Sequence, residues 1–76
     1  MNVDVDELRK LVAEILRIDL SEVKENLSMD DSEKWDSLAH MELVTAIELR
    51  YQFELTMDEI VCLKDIPAIL RLIESK

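Results

Sequence analysis

The sequence contains no glycine, one proline and only three aromatic residues. Turns between paired β-strands usually need glycine, and glycine-rich loops commonly hold nucleotide phosphates. These absences argue against a β-rich fold and against a nucleotide-binding loop. Because the aromatic residues are limited to Trp35, Tyr51 and Phe53, the core is expected to consist of leucine, isoleucine, valine and methionine.

Cysteine is equally scarce, since Cys62 is the only one and cannot form a disulfide within the chain. We expect Cys62 to be a small buried apolar side chain rather than a reactive thiol. No apolar run reaches membrane-spanning length, and no signal peptide is expected before the first helix. A reducing, cytoplasmic location is therefore expected.

Positive charge is in short supply: nine basic residues face eighteen acidic ones, for a net charge of −9. Nucleic acids and anionic membranes attract lysine and arginine, so neither is an expected partner. A partner protein with a basic patch suits this charge better. The 76 residues, of which 49% are apolar, are enough for one globular domain, residues 1–76, expected to be a monomer.

Apolar residues recurring every three or four positions predict four helices. Their expected ranges are about residues 5–17, 37–51, 57–63 and 66–75. Amphipathic helices of this kind bury their apolar faces against one another. The predicted fold is therefore all-α: a four-helix bundle with a short third helix and a long loop between the first two.

Local signals refine the helix ends and the loop. Asp4 with Glu7, and Thr56 with Glu59, have the spacing of capping boxes. In the long loop, residues 18–36, some apolar side chains are spaced to hold the chain to a core: Ile18, Leu20, Val23 and Leu27. The polar stretch that follows them, residues 28–34, is expected to be the most mobile part.

Ser37 and His40 are three residues apart and would share one face of the second helix, as the nucleophile and base of a hydrolase could. The sequence offers no glycine turn and no evident oxyanion hole to complete such a site. We therefore expect His40 to be a surface residue of the helix and the chain to have no catalytic site.

The acid-rich stretch before the second helix was compared with a calcium-binding loop, which needs a central glycine and a glutamate at its twelfth position. Counted from Asp30, the twelfth residue is Met41. Counted from Asp31, it is Glu42, but Trp35 then occupies a ligand position. The glycine is missing in both registers, so no defined metal site is expected.

Asp36 and Ser37 precede the second helix, and either can cap it. If Asp36 is the cap, the Ser37 hydroxyl is exposed at the positive end of the helix dipole, which stabilises a phosphate ester. If Ser37 is the cap, Asp36 only adds favourable charge. Spacing alone does not decide between the two arrangements.

Three stretches of the chain, residues 36–48, 51–60 and 18–23, resemble the acyl carrier protein family. "DSLAHMELVTAIE", residues 36–48, is similar to that family's signature and second helix. "YQFELTMDEI", residues 51–60, resembles its aromatic, turn and acidic start of the third helix, and "IDLSEV", residues 18–23, resembles the turn after its first helix. The resemblance implies the acyl carrier fold and a 4′-phosphopantetheine arm on Ser37, flanked by Asp36 and Leu38.

The resemblance also implies a role. A phosphopantetheinyl transferase would attach the arm, whose thiol would hold acyl groups as thioesters. The chain would be a stand-alone carrier, a tethered substrate rather than an enzyme, serving acyl-loading, acyl-transfer or synthase enzymes of fatty acid, polyketide or related biosynthesis. The alternative is a non-catalytic helical interaction module with the same fold and no arm.

One face of the second helix is the expected docking surface for such enzymes: Leu38, Met41, Glu42, Thr45 and Glu48. Leu38 and Met41 would supply apolar contact, and Glu42 and Glu48 would meet basic patches on the partner.

The sequence departs from fatty-acid-synthase carriers after the signature. Ala39 stands where those carriers usually have an acidic residue, and Leu49 and Arg50 interrupt an acidic run that they often continue. These departures favour a dedicated pathway over housekeeping fatty acid synthesis. Trp35 is expected to anchor the loop on the core rather than to shield a phosphodiester.

Overall fold

The computed structural model describes residues 3–76. Those residues form four helices and no β-strand: α1 is Val5–Leu16, α2 is Ser37–Tyr51, α3 is Met57–Cys62 and α4 is Ile66–Ser75. The prediction of an all-α fold with a short third helix is confirmed. None of the described helices is long and apolar enough to cross a membrane.

The core lies where α1 packs against α2 and α4. Side chains with no exposed surface come from each of these helices: Leu8 and Val12, Leu43 and Ile47, and Ile66, Ile69 and Ile73. Each fully buried aliphatic side chain of this kind contributes roughly 1.5–3 kcal/mol. The predicted leucine, isoleucine and valine core is confirmed, but the expected methionine contribution is wrong: Met41 and Met57 are exposed and Met29 is only partly buried. Trp35 is the one fully buried aromatic side chain among the described residues.

The helix starts follow the predicted capping signals. Thr56 and Glu59 form a complete capping box at α3, with donor–acceptor distances of 3.2 and 2.9 Å. At α1 the predicted box does not form: Asp4 caps the helix by accepting from the Asp6 amide at 2.9 Å, whereas Glu7 faces Arg50 of α2 at 3.9 Å. The first helix is thus capped, and its acidic first turn also contacts α2.

Two helices end on residues that would usually be glycine. Arg17, after α1, and Gln52, after α2, both have φ of 58° in the left-handed region. Glycine is favoured there because a Cβ atom costs about 1–2 kcal/mol in this conformation. Having no glycine, the sequence places strained residues at both helix ends.

The long loop between α1 and α2 contains two single 3-10 turns, Leu20–Glu22 and Met29–Asp31. Val23 is fully buried, but Leu20 is 37% exposed, so its expected role in holding the loop to the core is wrong. The stretch expected to be mobile, residues 28–34, is held at its start by a main-chain hydrogen bond. The Met29 amide donates to the Lys64 carbonyl at 2.9 Å. The loop is therefore joined to the segment between α3 and α4.

The expectation that Cys62 is buried is wrong, since its thiol is free and exposed. Cys62 ends α3, and none of that helix's 6 residues is buried. A surface helix of fewer than two turns has no face wide enough to be enclosed, which explains the error.

Candidate functional site: the start of α2 and the cleft beside it

Asp36 caps α2, which settles the choice that spacing left open. Its carboxylate accepts from the Ala39 amide at 2.8 Å, and its carbonyl accepts from the His40 amide at 2.8 Å. Ser37 is the first residue of the helix and is exposed. None of the hydrogen bonds found within residues 3–76 uses the Ser37 hydroxyl, which is therefore available for chemistry.

Trp35 anchors the chain just before this cap, as expected. Its side chain is 2% exposed and belongs to the core cluster. The indole Nε1–H donates to His40 Nδ1 at 3.1 Å, and the two rings stack with centroids 6.3 Å apart. The loop that delivers Ser37 is thus fixed at the residue two positions before it.

His40 is not a surface residue, contrary to expectation: it is 8% exposed. An indole nitrogen only donates, so Nδ1 accepts from Trp35. His40 Nε2 then carries the proton and donates to the Ile60 carbonyl of α3 at 2.9 Å. With both ring nitrogens bonded elsewhere, His40 does not serve Ser37 as a base.

Sequence reasoning missed the role of His40 although a signal was present. His40, Leu43, Val44 and Ile47 recur at helical spacing, and all are buried. A polar residue within an apolar stripe is expected to have buried hydrogen-bond partners. Here the partners come from a neighbouring loop and from α3, which periodicity does not reveal.

A surface cleft of ≈ 490 Å³ lies between α2 and α3. Its lining is mainly apolar with one charge of each sign at its edge: Met29, Asp30, Ser37, His40, Met41, Met57, Ile60, Val61 and Lys64. Methionine side chains are flexible and adapt to ligands of varied shape. Ser37 thus stands at the rim of an adaptable apolar cleft.

Large apolar side chains are exposed on both walls of this cleft. On the α2 side, Met41 is 48% exposed. Leu38, next to Ser37 in the chain, is 71% exposed but does not line the cleft, and both residues are at positions predicted for a docking surface. On the α3 side, Met57 and Val61 are 71% and 62% exposed. The predicted docking surface does not include α3, although Met57 and Val61 lie one turn apart on it.

The polar residues of the predicted docking surface differ in their surroundings. Glu42 and Thr45 are exposed, and the Thr45 hydroxyl donates to the Met41 carbonyl at 3.0 Å. Glu48 is half-buried, and its carboxylate accepts from the Leu55 amide at 2.9 Å. The Glu48 carboxylate therefore holds the segment after α2, and Glu42 is the better placed of the two acids for an external partner.

Acidic side chains are numerous near this site but do not converge. Within residues 3–76, no group of three or more histidine, cysteine or carboxylate side chains is arranged to hold a metal ion.

At the start of α3, hydrogen bonds from the Thr56 amide and then from Lys76 lower the pKa of Glu59. That carboxylate is ionised at neutral pH and serves the helix as part of its cap.

Comparison with known proteins identifies the family. The family model described as the phosphopantetheine attachment site matches residues 6–73. No curated protein matches the sequence. The family match spans most of the chain, and the described helices agree with the fold that the resemblance implied. The chain therefore belongs to the phosphopantetheine attachment family, whose domains bear covalent 4′-phosphopantetheine and act as carriers.

Proposed function

We propose that Ser37 is the residue that bears 4′-phosphopantetheine and that the chain is an acyl carrier domain. One observation supports this assignment above the others: Asp36 caps α2 through the Ala39 amide at 2.8 Å, which leaves the Ser37 hydroxyl exposed. A serine used as the cap would instead hold its oxygen against the backbone.

The surroundings of Ser37 fit a phosphodiester. The first turn of a helix presents free amide groups and the positive end of the dipole, which stabilise a phosphate's negative charge. The adjacent Asp36 carboxylate is turned towards the Ala39 amide, so its charge is partly offset by that hydrogen bond. The apolar cleft that Ser37 borders offers Met41 and Val61 beside an attached group.

When bound, the prosthetic group supplies a terminal thiol that holds an acyl group as a thioester. The chain itself provides attachment and orientation: Ser37 holds the group, Asp36 fixes the helix start, and Trp35 fixes the loop before it. Attachment converts delivery of the acyl group into an intramolecular event with a high effective concentration at a partner's active site. We infer that the chain is a tethered substrate and not a catalyst.

The proposed partners are a phosphopantetheinyl transferase and enzymes that load, transfer or extend acyl groups. Leu38, Met41, Glu42 and Thr45 are exposed on one side of Ser37 and are the proposed contacts. A net charge of −9 favours basic patches on these enzymes. Apolar side chains beside a modest number of acids suit brief binding to several enzymes in turn.

We further propose a dedicated biosynthetic pathway in the cytoplasm. Leu49 is 76% exposed where fatty-acid-synthase carriers often have acids, and Arg50 faces Glu7 of α1. The late part of α2 is therefore less acidic than the face that such carriers present. Enzymes of housekeeping fatty acid synthesis are accordingly expected to dock less well than those of a dedicated pathway.

Mass spectrometry tests the attachment. The protein is incubated with coenzyme A and a promiscuous phosphopantetheinyl transferase, and its intact mass is then measured. A gain of one phosphopantetheine is expected for the wild type and for Ser21→Ala, and none for Ser37→Ala. Ser21 is a matched control because it is exposed and near an aspartate, but its hydroxyl is bonded to the Asp19 carboxylate.

If the Ser37→Ala variant gains the mass of one phosphopantetheine, the attachment site is a residue other than Ser37. An unmodified wild type would favour the alternative, a helical interaction module without an arm. That module would bind its partners equally well as wild type and as Ser37→Ala.

A further inference from the structure

The α3 wall of the cleft has no fully buried residue of its own. Its Ile60 is half-buried and only its C-cap, Leu63, reaches the core, so hydrogen bonds and ion pairs contribute to where the helix lies. Its start is tied to the end of the chain by the Lys76–Glu59 ion pair at 3.0 Å. Its other end faces α2, where His40 donates to the Ile60 carbonyl at 2.9 Å.

His40 joins three parts of the site through one ring. It is part of α2, it accepts from Trp35 in the preceding loop at 3.1 Å, and it donates to Ile60 in α3 at 2.9 Å. Both bonds require the neutral ring with its proton on Nε2, because a proton on Nδ1 would oppose the indole N–H. At 8% exposure, the ring has little access to water that could replace either bond.

We propose that His40 is a positioning residue that keeps the two cleft walls at a fixed separation, so that partner enzymes meet a preformed docking surface. The proposal rests on the function proposed above and adds α3 to the surface. Met57 and Val61 on α3 and Leu38 and Met41 on α2 are all exposed around Ser37. A partner that contacts both walls binds only molecules in which α3 is docked.

The expected change in affinity for a partner enzyme follows from the fraction of molecules in which α3 is docked against α2. If loss of the His40 bonds leaves α3 docked in roughly one molecule in five, the apparent affinity for a partner falls about fivefold. The chemistry at Ser37 itself is unchanged once the partner is bound. The KM for the carrier should therefore rise while kcat stays close to the wild-type value.

Three variants at position 40 separate positioning from packing. His40→Leu removes both hydrogen bonds and keeps apolar bulk. His40→Gln places an amide donor near the position of Nε2, and His40→Asn places an acceptor near that of Nδ1. Ser21→Ala is the control, because it removes a side-chain hydrogen bond to the Asp19 carboxylate in the loop, away from the cleft.

The kinetic experiment measures phosphopantetheine transfer from coenzyme A to each full-length variant, at a temperature where all are folded. His40→Leu is expected to raise the KM for the carrier about fivefold, His40→Gln to restore much of the affinity, and Ser21→Ala to leave KM unchanged. Equal KM values for His40→Leu and wild type, or an equal rise in Ser21→Ala, would overturn the proposal.

A second measurement keeps the inference separate from the proposed function. Imidazole ¹⁵N shifts of the unmodified protein should show a protonated Nε2 and an unprotonated Nδ1, and amide exchange in α3 should accelerate in His40→Leu. If the wild type is never modified but these signatures appear, the proposed function fails while His40 still positions α3. If the tautomer is reversed and exchange in α3 is unchanged, the positioning role fails on its own.

Discussion

At the scale of single residues, the site depends on which polar groups have partners. Asp36, Trp35 and His40 use their polar atoms within the chain, and this leaves the Ser37 hydroxyl free. A buried polar atom that loses its partner costs more than the bond contributed, because it keeps its desolvation penalty. Substitutions that remove one partner and preserve shape measure this asymmetry.

Trp35→Phe and Tyr51→Phe each remove one polar group from an aromatic side chain, and Tyr51→Phe also preserves the shape of the ring. Trp35→Phe leaves His40 Nδ1 buried without its donor, which should lower the free energy of unfolding by about 1–3 kcal/mol, and the smaller ring leaves a cavity that lowers it further. The Tyr51 hydroxyl is buried and has no hydrogen-bond partner among residues 3–76, so Tyr51→Phe should be neutral or slightly stabilising. Urea denaturation measures both, and a larger loss in Tyr51→Phe would contradict this assignment of partners.

The lowered pKa of Glu59 leads to a separate prediction about how the stability of the fold depends on pH. Hydrogen bonds from the Thr56 amide and from Lys76 lower the pKa of Glu59 below its ordinary value of 4.5. Its contribution to stability is therefore complete above that value and is lost as pH falls through the lower, folded-state pKa. Melting temperatures of wild type and Glu59→Gln should converge on acidification below pH 4.5. A constant difference across that range would show that the ionised carboxylate does not stabilise the fold.

At the scale of elements, helix ends are the features that local sequence predicts best. Caps act within one turn, so Thr56 and Glu59 placed the start of α3 correctly. The surroundings of His40 and Cys62 could not be predicted in this way. His40 acquires its partners from a loop and from α3, and Cys62 is exposed because α3 is too short to bury a face.

The left-handed end of α2 offers a stabilising substitution. Gln52 has φ of 58°, and its amide donates to the Glu48 carbonyl, an interaction that glycine would keep. Gln52→Gly should raise the free energy of unfolding by about 0.5–1 kcal/mol, after the extra freedom of glycine in the unfolded chain is subtracted. Gln52→Ala retains the Cβ atom and should not stabilise. Equal effects of the two substitutions in denaturant titrations would rule out relief of backbone strain as the cause.

At the scale of the whole molecule, negative charge serves recognition at the expense of stability. Eighteen acidic residues face nine basic ones within 76 residues. Several carboxylates near the cleft, including Asp30, Glu42 and Asp58, are exposed. Their mutual repulsion acts on the compact state and would be relieved when a basic partner binds. The same field that attracts partner enzymes therefore destabilises the free carrier.

Salt should consequently stabilise the protein. Mobile ions screen exposed charges beyond about 8–10 Å at physiological ionic strength, so added sodium chloride weakens repulsion between carboxylates spread over the surface. The melting temperature is expected to rise with salt, and the rise should be smaller in the double variant Glu42→Gln/Asp58→Asn, which lacks two exposed charges. The same double variant should melt higher than wild type at low salt and approach it at high salt. A melting temperature that stays flat or falls as salt is added would show that attractive ion pairs, such as Lys76–Glu59, outweigh the repulsion.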